Sequence, residues 1–572
     1  MRFSPPSEVP TIVNLGTYLE DTVALVNGEE VCQTIELRRK SDSFADARLF
    51  FKDKIWITSA AGTRLIQILD TNPLIASTHQ KKSVVSLRFD NELIASLGAQ
   101  LESNDTTSLD GSDLLCGKVF AVGFVGPNTS KALHVGHLRN ISVGNALAAA
   151  LESAGAHVIR QSLVGDIGRN IGEAMAGYLQ TGHRDDSDFK LMKSDHFVGK
   201  AYADYVRRHR ATQIDTTAQN DPISRELEMT GDLADDLLRR WMGNDPNVLN
   251  LWRQLRNWIM MGHRDTLERL GVRLDRFDFE SDAITGVGSL ISDGLQRGLL
   301  KRTTDGRIIY ESGHTEFETM TLVRKDGFPT EHARLLAVYS RLFDQWRSKC
   351  TYIDLAGTEW QPASALHMEI MRELRSSEID QTHIQVFHGM VTVKDQKMNS
   401  SDGEAILIDH VLDQLVSAPS VRAIAENSNG AVTANTVADI VLKSYFLCRP
   451  VLKPIEYSWD LLMQEKSNPG WTIARTWCHV MSHENNTESD SAADKQAYRL
   501  AVIRSQDFRR CLRHGIETLQ LSTLTSYLQH YCELFLEKPA DAHLGRVART
   551  LLQLTLTSLG LLTPIKSDLA SM

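Results

Sequence analysis

The chain has 572 residues, of which 42% are hydrophobic and 23% are charged, and its formal net charge is −10. This length exceeds a single hydrophobic core, so several domains are expected, and the composition is ordinary for a soluble globular protein. No run approaches the roughly 18 apolar residues that a membrane span needs, and the N-terminal residues lack a signal-peptide pattern, so we expect a cytoplasmic protein.

The seven cysteines are scattered, without a Cys-x-x-Cys pair or a nearby histidine cluster. An odd and unpatterned set argues against a disulfide framework and against a zinc site, so we predict reduced, mostly buried thiols and no metal centre. The acidic total charge does not indicate nucleic acid, although it does not forbid a local basic surface that could bind it.

Residues 1–102 are predicted to form a mixed α/β domain. Arg48–Thr58 has the pattern of hairpin strands, and Val84–Phe89 has the pattern of a strand that leads into a helix over Asn91–Leu101. The polar, turn-rich segment 103–112 is predicted to be a linker.

A β-α-β unit is predicted to follow this linker. Val119–Val125 is a nearly continuous apolar run, as expected of a strand that is buried on both faces of a parallel sheet. A Gly-Pro-Asn-Thr-Ser loop leads into a helix that Gly155 terminates, and His157–Arg160 begins the next strand. This order predicts a right-handed crossover and a doubly wound domain over residues 113–410.

The rest of the chain is predicted to be an insertion, the second half of the α/β domain and a helical domain. Residues 180–280 are charged and helical, with helices predicted over Asp232–Met242 and Trp252–Leu270. Strands and helices alternate again over 307–410. Residues 411–572 have helical periodicity throughout, which predicts an all-α C-terminal domain.

Two histidines lie at the predicted start of the helix in the β-α-β unit. His134 and His137 are three residues apart, so both imidazoles face the same side of the first turn. Gly136 lets a ring or a phosphate approach the backbone, and a helix N-terminus favours an anion. Two imidazoles aimed at one anion would stabilise the charge that develops during displacement at phosphorus. Taken alone, this spacing is more often a metal half-site or a pair of surface histidines.

A lysine-containing loop follows the histidines by about 260 residues. Segment 391–403 places Lys394 and Lys397 among small polar residues, and such a lysine can close over a triphosphate and neutralise it. An isolated lysine in a turn is usually only solvated. The order of the two motifs at opposite ends of one α/β domain makes the pair specific.

These motifs resemble those of class I aminoacyl-tRNA synthetases. His134–His137 is similar to their HIGH signature, and Lys397–Ser401 is similar to their KMSKS loop. Further segments resemble arginyl-tRNA synthetases in particular: Pro127, Asn128 and Lys131, then 165–168, 252–258, 269–280, 322–327 and 559–564. The resemblance as a whole covers nearly the whole chain.

The resemblance implies a Rossmann-type class I synthetase catalytic domain with a helical insertion. It also implies an N-terminal α/β domain that contacts the tRNA elbow and an all-α domain that binds the anticodon. The implied activity is that of a monomeric, cytoplasmic ligase of protein biosynthesis. This ligase uses ATP and Mg²⁺ to form an aminoacyl-adenylate, from arginine by resemblance, and transfers the aminoacyl group to tRNA.

The resemblance also assigns residues to ATP and to the amino acid. The expected ATP-binding residues are His134, Gly136, His137, Lys131, Lys397 and Met398. Ser400 replaces the second lysine of the KMSKS loop, and Lys131 is expected to supply the missing positive charge near the phosphates. Asn128 is expected to hold the α-amino end of the amino acid, and Asp166 and Gly168 are expected to shape the site.

The side-chain half of the amino-acid pocket departs from the family pattern. Gly123 stands where the family has an acid, and Glu331 and Leu335 stand where it has tyrosine and aspartate. A buried guanidinium without carboxylates would cost several kcal/mol, so a substitute carboxylate is needed. Glu331 is the first choice and Glu359 the second.

Three functions therefore remain open from the sequence. The first is an arginyl-tRNA-synthetase-type ligase. The second is a paralogue that activates a different amino acid or passes the acyl group to a small amine in a biosynthetic pathway. The third is a tRNA-binding regulator without catalysis, which would have no physical need for His134, Gly136, His137 and Lys397.

Overall fold

The computed structural model describes residues 14–26, 32–37, 45–51, 58–109, 111–181, 192–215, 232–313, 319–346, 349–375, 379–393, 405–482, 492–536 and 542–562. Across these ranges the chain forms an N-terminal α/β region, a parallel sheet flanked by helices, and a C-terminal helical region. None of the helices in these ranges is long and apolar enough to cross a membrane.

The N-terminal region is an antiparallel sheet with helices packed against it. Its elements are α1 (Leu15–Leu25), β1 (Cys32–Leu37), β2 (Ala47–Phe51), α2 (Ala60–Thr71), β3 (Ile75–Lys81), β4 (Val84–Phe89) and α3 (Asn91–Glu102), with strand order β1-β2-β4-β3. The expected strand and helix at 84–101 are confirmed. The hairpin expected within 48–58 is wrong as far as the structure describes it, because β2 pairs with β1 and β4.

The central sheet is parallel, with strand order β12-β11-β5-β6-β7. Its strands are β5 (Val119–Gly123), β6 (His157–Val164), β7 (Arg276–Phe279), β11 (Thr351–Gly357) and β12 (His383–His388). Helix α4 (Val135–Ser153) makes the crossover from β5 to β6, so the predicted α/β fold is confirmed. Strand β5 ends at Gly123 rather than at Val125, because the φ of Val125 is 75° and extended pairing stops before it.

Helices fill most of the chain between β6 and β7, as predicted. They are α5 (Arg169–Thr181), α6 (Ser194–Asp215), α7 (Leu233–Met242) and α8 (Pro246–Arg269). Asp232 and Asp245 accept hydrogen bonds from backbone N–H groups at the starts of α7 and α8, so both helices begin at side-chain N-caps. Helix α8 begins earlier than expected, because Asp245 and Pro246 together form its start.

A small antiparallel sheet and further helices connect β7 to β12 and lead to the lysine loop. They are α9 (Glu280–Gln296), β8 (Leu300–Arg302), β9 (Ile308–Glu311), β10 (Thr319–Val323), α10 (Glu331–Trp346), a 3₁₀ turn (Thr358–Trp360), α11 (Gln361–Leu374), α12 (Ile379–Thr382) and β13 (Val391–Val393). Helices α9 and α10 pack on the face of the central sheet that carries Ala121 and Tyr352.

The C-terminal region is helical, with one exception to the prediction. Its helices are α13 (Ile408–Ser417), α14 (Pro419–Glu426), α15 (Ala434–Leu447), α16 (Trp459–Met463), α17 (Gly470–Ser482), α18 (Ala492–Ser505), α19 (Phe508–Thr518), α20 (Ser522–Leu536) and α21 (Ala542–Ser558). The exception is β14 (Ile455–Tyr457), a short strand that pairs in parallel with β13.

A buried arginine ties this helical region to the crossover helix of the central sheet. Arg139 of α4 is 0% exposed, and its guanidinium donates to the carbonyl oxygens of Phe446, Arg449, Pro450 and Val451. Because those carbonyls lie in the last turn of α15 and just after it, a single side chain fixes α15 against the helix that carries both motif histidines.

Candidate active site

The loop after β5 is hydrogen-bonded to the carboxyl end of β6. Thr129 N–H donates to the Gly165 carbonyl at 2.8 Å, and Gly165 N–H donates to the Pro127 carbonyl at 3.0 Å. Val125 N–H donates to Asn140 Oδ1 at 2.6 Å, which holds the positive φ of this β-branched residue. Such strain is found mostly where a loop is shaped for binding or catalysis.

His134 and His137 cap the first turn of α4 reciprocally. His134 is the N-cap residue, and its Nδ1 accepts from Gly136 N–H at 3.2 Å. His137 Nδ1 accepts from His134 N–H at 3.1 Å, and the two ring centroids are 4.0 Å apart. The predicted convergence of the two imidazoles is therefore present, and backbone N–H groups fix the orientation of both rings.

Both rings are neutral in this environment. Burial and the nearby Lys131 ammonium lower the pKa of His134 to about 3. Burial, His134 and Lys131 likewise hold the pKa of His137 well below its usual range. Because each Nδ1 accepts a backbone hydrogen bond, each neutral ring carries its proton on Nε2. The helix start thus carries two oriented Nε2–H donors next to one ammonium group.

Lys131 lies beside the two histidines, as expected from the sequence. Burial lowers the pKa of its ammonium group. Its backbone carbonyl accepts from His263 Nε2–H of α8 at 2.9 Å, which anchors the residue to the insertion. The structure therefore brings a positive charge and two N–H donors together at one helix N-terminus, which is an arrangement that suits a phosphate.

The chain that leaves the lysine loop returns to the same histidines. Val135 N–H donates to the Ile406 carbonyl at 2.9 Å, and Ile408 N–H donates to the Leu133 carbonyl at 3.1 Å. These bonds form a short bridge between His134 and Leu407. Lys394, Lys397 and Met398 themselves lie outside the described residues.

A salt-bridge network joins this returning segment to the helical insertion. Asp409 accepts from Lys193 at 2.7 Å, from Arg269 at 2.7 Å and from Thr266 Oγ1 at 2.9 Å. Although Asp195, His196 and Asp409 have ligand atoms within 4.8 Å of one another, the two cations already neutralise Asp409. We interpret the cluster as a structural network, and sequence reasoning did not find it because its members are far apart in the chain.

Asn128 faces Gly165 and a buried glutamate. A Cβ atom at Gly165 would overlap Asn128 Oδ1 and would lie 3.7 Å from Glu280 Oε1, so this close approach requires glycine. Glu280 is 3% exposed and accepts from Arg334 Nε at 2.7 Å. Burial raises the pKa of Glu280 to about 7, against the lowering effect of Arg334. From the sequence, only the position of Glu280 at the end of segment 269–280 pointed to its place beside Asn128.

Asp166 is a buried connecting group. It accepts from Ser281 N–H at 2.9 Å, from Ser281 Oγ at 2.6 Å and from Arg256 at 3.1 Å. Burial raises the pKa of its carboxyl, while these hydrogen bonds oppose the rise. Asp166 thus joins the end of β6 to α8 and α9. Gly168, whose φ is 125°, lets the Arg334 guanidinium pass close to the backbone.

The residues at the altered positions of the pocket do not converge. Glu331 lies at the start of α10 near Arg334 and Glu280, and although the residue reaches the surface, burial raises the pKa of its carboxyl. Glu359 is exposed, with its carboxylate folded back over Gly357. Leu335 is 8% exposed and packs into the core between α10 and the sheet. At Gly123 a Cβ atom would overlap the Tyr352 hydroxyl, so this position has no room for an acidic side chain in the present arrangement.

Most of the cysteines that the structure describes are buried, as predicted. Cys350, Cys478, Cys511 and Cys532 are buried free thiols, Cys448 is partly buried and Cys116 is exposed.

Comparisons with known sequences place the catalytic part of the chain in one family. Residues 109–444 match the family described as "tRNA synthetases class I (R), catalytic domain". An arginine–tRNA ligase of Treponema pallidum is 29% identical over 338 residues, which cover 58% of this chain and 54% of that protein. An arginine–tRNA ligase of Phocaeicola vulgatus is 24% identical over 409 residues, which cover 68% and 66%. The chain thus spans between about half and two thirds of the length of these relatives.

Two solved structures share the fold along most of the chain. Arginyl-tRNA synthetase of Thermus thermophilus superposes with a TM-score of 0.66 at 17% identity, covering 96% of this chain and 99% of that one. Arginyl-tRNA synthetase of Plasmodium falciparum superposes with a TM-score of 0.64 at 15% identity, covering 96% and 97%.

Proposed function

Because the chain belongs to the class I (R) family of tRNA synthetases, we propose that it is an ATP-dependent ligase that joins an amino acid to tRNA. We infer that the amino acid is arginine, because the relatives of this chain are named arginine–tRNA ligases. The observation that carries the proposal is the reciprocal capping of His134 and His137, which directs two neutral Nε2–H donors away from the start of α4.

In the first half-reaction, a carboxylate oxygen of the amino acid attacks the α-phosphorus of ATP. The bond from that phosphorus to the oxygen bridging it to the β-phosphorus breaks, and pyrophosphate leaves. His134 and His137 donate to phosphate oxygens whose charge grows in the transition state, and Lys131 supplies a nearby positive charge. We assign Lys397 and Met398 of the loop to the nucleotide on the family pattern, and Gly136 to the close approach of the nucleotide to the backbone.

Mg²⁺ would enter with the ATP triphosphate as part of the substrate. The described groups around His134 are N–H donors and an ammonium, which bind phosphate oxygens directly, whereas Mg²⁺ prefers oxygen ligands. The carboxylate of Asp166, just after β6, is already held by Ser281 and Arg256.

In the second half-reaction, a terminal hydroxyl of tRNA attacks the carbonyl carbon of the adenylate, and AMP leaves. We propose that Asn128 holds the α-amino group of the amino acid, with Glu280 beside it, and that Asp166 and Gly168 shape the site without contacting the substrate. Glu331 remains a candidate beside the Glu280–Arg334 pair, because its carboxyl interacts with both residues. The exposed Glu359 remains a candidate only for the rim of the pocket.

The domain roles follow the same proposal. Residues 113–410 form the catalytic domain with its insertion at about 180–280, residues 1–102 contact the tRNA elbow, and residues 411–572 bind the anticodon. Arg139 supports this division of labour, because it fixes the C-terminal helices against the helix that carries the histidines. A monomer in the cytoplasm would suffice for this activity. No geometric feature of the described residues favours the amine-transferring or non-catalytic alternatives.

ATP–pyrophosphate exchange tests the proposed function. Purified protein is assayed with labelled pyrophosphate and a panel of amino acids, with and without total tRNA. We expect exchange with arginine and only when tRNA is present, as is characteristic of the family that the sequence resembles. Exchange with another amino acid would redirect the substrate assignment. The absence of exchange under every condition would overturn the proposed activity.

A further inference from the structure

Asp354 of β11 is the in-register neighbour of Gly123 of β5. In the sheet, side chains paired in this way point to the same face. The Tyr352 hydroxyl enters the space that Gly123 leaves open and donates to Asp354 Oδ1 at 3.4 Å. A carboxylate is therefore absent at position 123 of β5 and present at the paired position of the adjacent strand, on the same face of the sheet.

The Asp354 carboxylate is held in place but has no strong cationic partner. Tyr339 of α10 donates to Asp354 Oδ2 at 2.8 Å, and the side chain of Asp354 is 15% exposed. Within the described ranges, its nearest basic atom is His383 Nε2 at 3.8 Å, which is itself buried without a hydrogen-bond partner. Two tyrosine hydroxyls occupy only part of the capacity of a carboxylate, which can accept about four hydrogen bonds.

Further unpaired polar atoms lie in the same row of the sheet. Gln161 of β6 is paired in register with Gly123, and it is fully buried with neither its amide oxygen nor its amide nitrogen bonded in the described structure. Gln385 of β12 is paired in register with Asp354, and its amide nitrogen is likewise buried and unpaired. Several buried polar groups without hydrogen bonds in one row of a sheet destabilise a closed core. Such groups are explained where a polar ligand completes their hydrogen bonding.

A series of ring side chains leads from the carboxyl edge of the sheet toward Asp354. His332 lies in the first turn of α10 near Trp360, and its Nδ1 lies 3.2 Å from His367 Nε2. The rings of His367 and Tyr339 are 6.0 Å apart, and Tyr339 contacts Asp354. Burial lowers the pKa of His332 and brings that of His367 to about 3, so neither ring repels a cation.

We propose that Asp354 binds the cationic end of the amino-acid side chain, in place of the acidic residues that positions 123 and 335 lack. Tyr339 and Tyr352 orient the carboxylate, and Gly123 provides the space for this arrangement. The ligand class is an amino acid with a guanidinium or ammonium side chain, and the inference rests on the proposed function.

The test compares wild type with Asp354→Asn, which keeps the shape of the side chain and removes its charge. Asp326→Asn is the matched control, because that aspartate lies in an exposed turn, where its carboxylate accepts from Arg324 and from Phe328 N–H. Exchange is measured with arginine, lysine and ornithine, and with citrulline, the uncharged analogue of arginine. Binding of labelled arginine is measured in parallel by equilibrium dialysis, so that the result does not depend on turnover.

Asp354→Asn should lower kcat/KM for the preferred cationic substrate roughly 10- to 100-fold, mainly through KM, because a charge-assisted contact is lost. The KM for ATP should stay unchanged, and the preference for that substrate over citrulline should fall by a similar factor. The control should match wild type in every measurement. Tyr352→Phe should weaken arginine binding by a smaller factor. This variant tests the inference if Asp354→Asn does not fold.

Unchanged substrate preference and unchanged arginine binding in Asp354→Asn would overturn the inference. So would a wild-type protein whose preferred substrate is uncharged, although the proposed ligase activity would then still stand. If wild type shows no exchange with any amino acid, the proposed function fails. Dialysis would still decide the inference, since Asp354→Asn should bind arginine roughly 10- to 100-fold more weakly than wild type.

Discussion

His134 has two separable tasks, and two substitutions divide them. Its Nδ1 accepts from Gly136 N–H and caps α4, while its Nε2–H is the donor proposed for ATP. In asparagine, Oδ1 can take the place of Nδ1, and no group reaches the position of Nε2. In glutamine, the amide nitrogen can reach the position of Nε2, and the capping acceptor is lost.

The expected magnitudes follow from this geometry. Asparagine is among the best N-cap residues, so His134→Asn should change the free energy of unfolding by at most about 0.5 kcal/mol. Loss of one preorganised donor to a developing oxyanion costs about 10²- to 10³-fold in rate, and His134→Asn should lose that much in kcat. His134→Gln should keep part of the rate and lose about 1 kcal/mol of stability, because the cap is missing.

Steady-state ATP–pyrophosphate exchange and urea unfolding measure the two effects separately. His134→Ala should show both losses and serves as the reference for each variant. If His134→Asn kept wild-type kcat, the Nε2–H would not act in the reaction. If His134→Asn and His134→Gln had equal free energies of unfolding, the hydrogen bond from Gly136 N–H to His134 Nδ1 would not contribute to stability.

Three further outcomes are expected. Gly165→Ala should raise the KM for the amino acid in exchange assays, because a Cβ at this position would displace Asn128. The KM for ATP should stay unchanged. An unchanged KM for the amino acid would argue against Asn128 as a ligand. Lys131→Met should lower kcat about 10-fold or more and Lys131→Arg should restore part of it, whereas equal activity of both would remove the need for a charge there. The pKa of His367 is about 3 when folded against 6.5 for the free side chain, so the unfolded chain binds the extra proton and stability falls as pH drops from about 6.5 toward 3. In urea unfolding at several pH values, the free energy of unfolding should fall less steeply between pH 6.5 and 3 in His367→Gln than in wild type. An unchanged pH dependence would refute the low pKa of His367.

Local patterns predicted the parts of the fold that depend on neighbours in the chain. The apolar run at 119–125 and the helix after it gave the crossover, and the spacing of His134 and His137 gave their convergence, because both depend on contacts within a few residues. The short strand β14 was missed because its partner β13 lies about 60 residues away, and three residues carry no periodicity.

Strand order explains why the pocket was only partly predictable. The sequence shows that Gly123 stands where the family has an acid, and the family pattern points to Glu331 and Glu359 as substitutes. Nothing local to Asp354 shows that β11 lies beside β5, so local patterns do not connect Asp354 with Gly123. Glu280 and Arg334 form their buried pair by the same long-range packing. Sequence spacing therefore predicted the pairing of His134 with His137 but not the long-range contacts around Gly123 and Asn128.

The central claim is that an adenylating site centred on His134 and His137 charges tRNA. The most direct measurement is the transfer of labelled arginine to total tRNA in the presence of ATP, with wild type and His134→Asn compared at equal concentration. Acid-precipitable label should accumulate with wild type, depend on ATP, and form at least about 100-fold more slowly with His134→Asn. No charging by folded wild-type protein, or equal charging by both proteins, would contradict the claim.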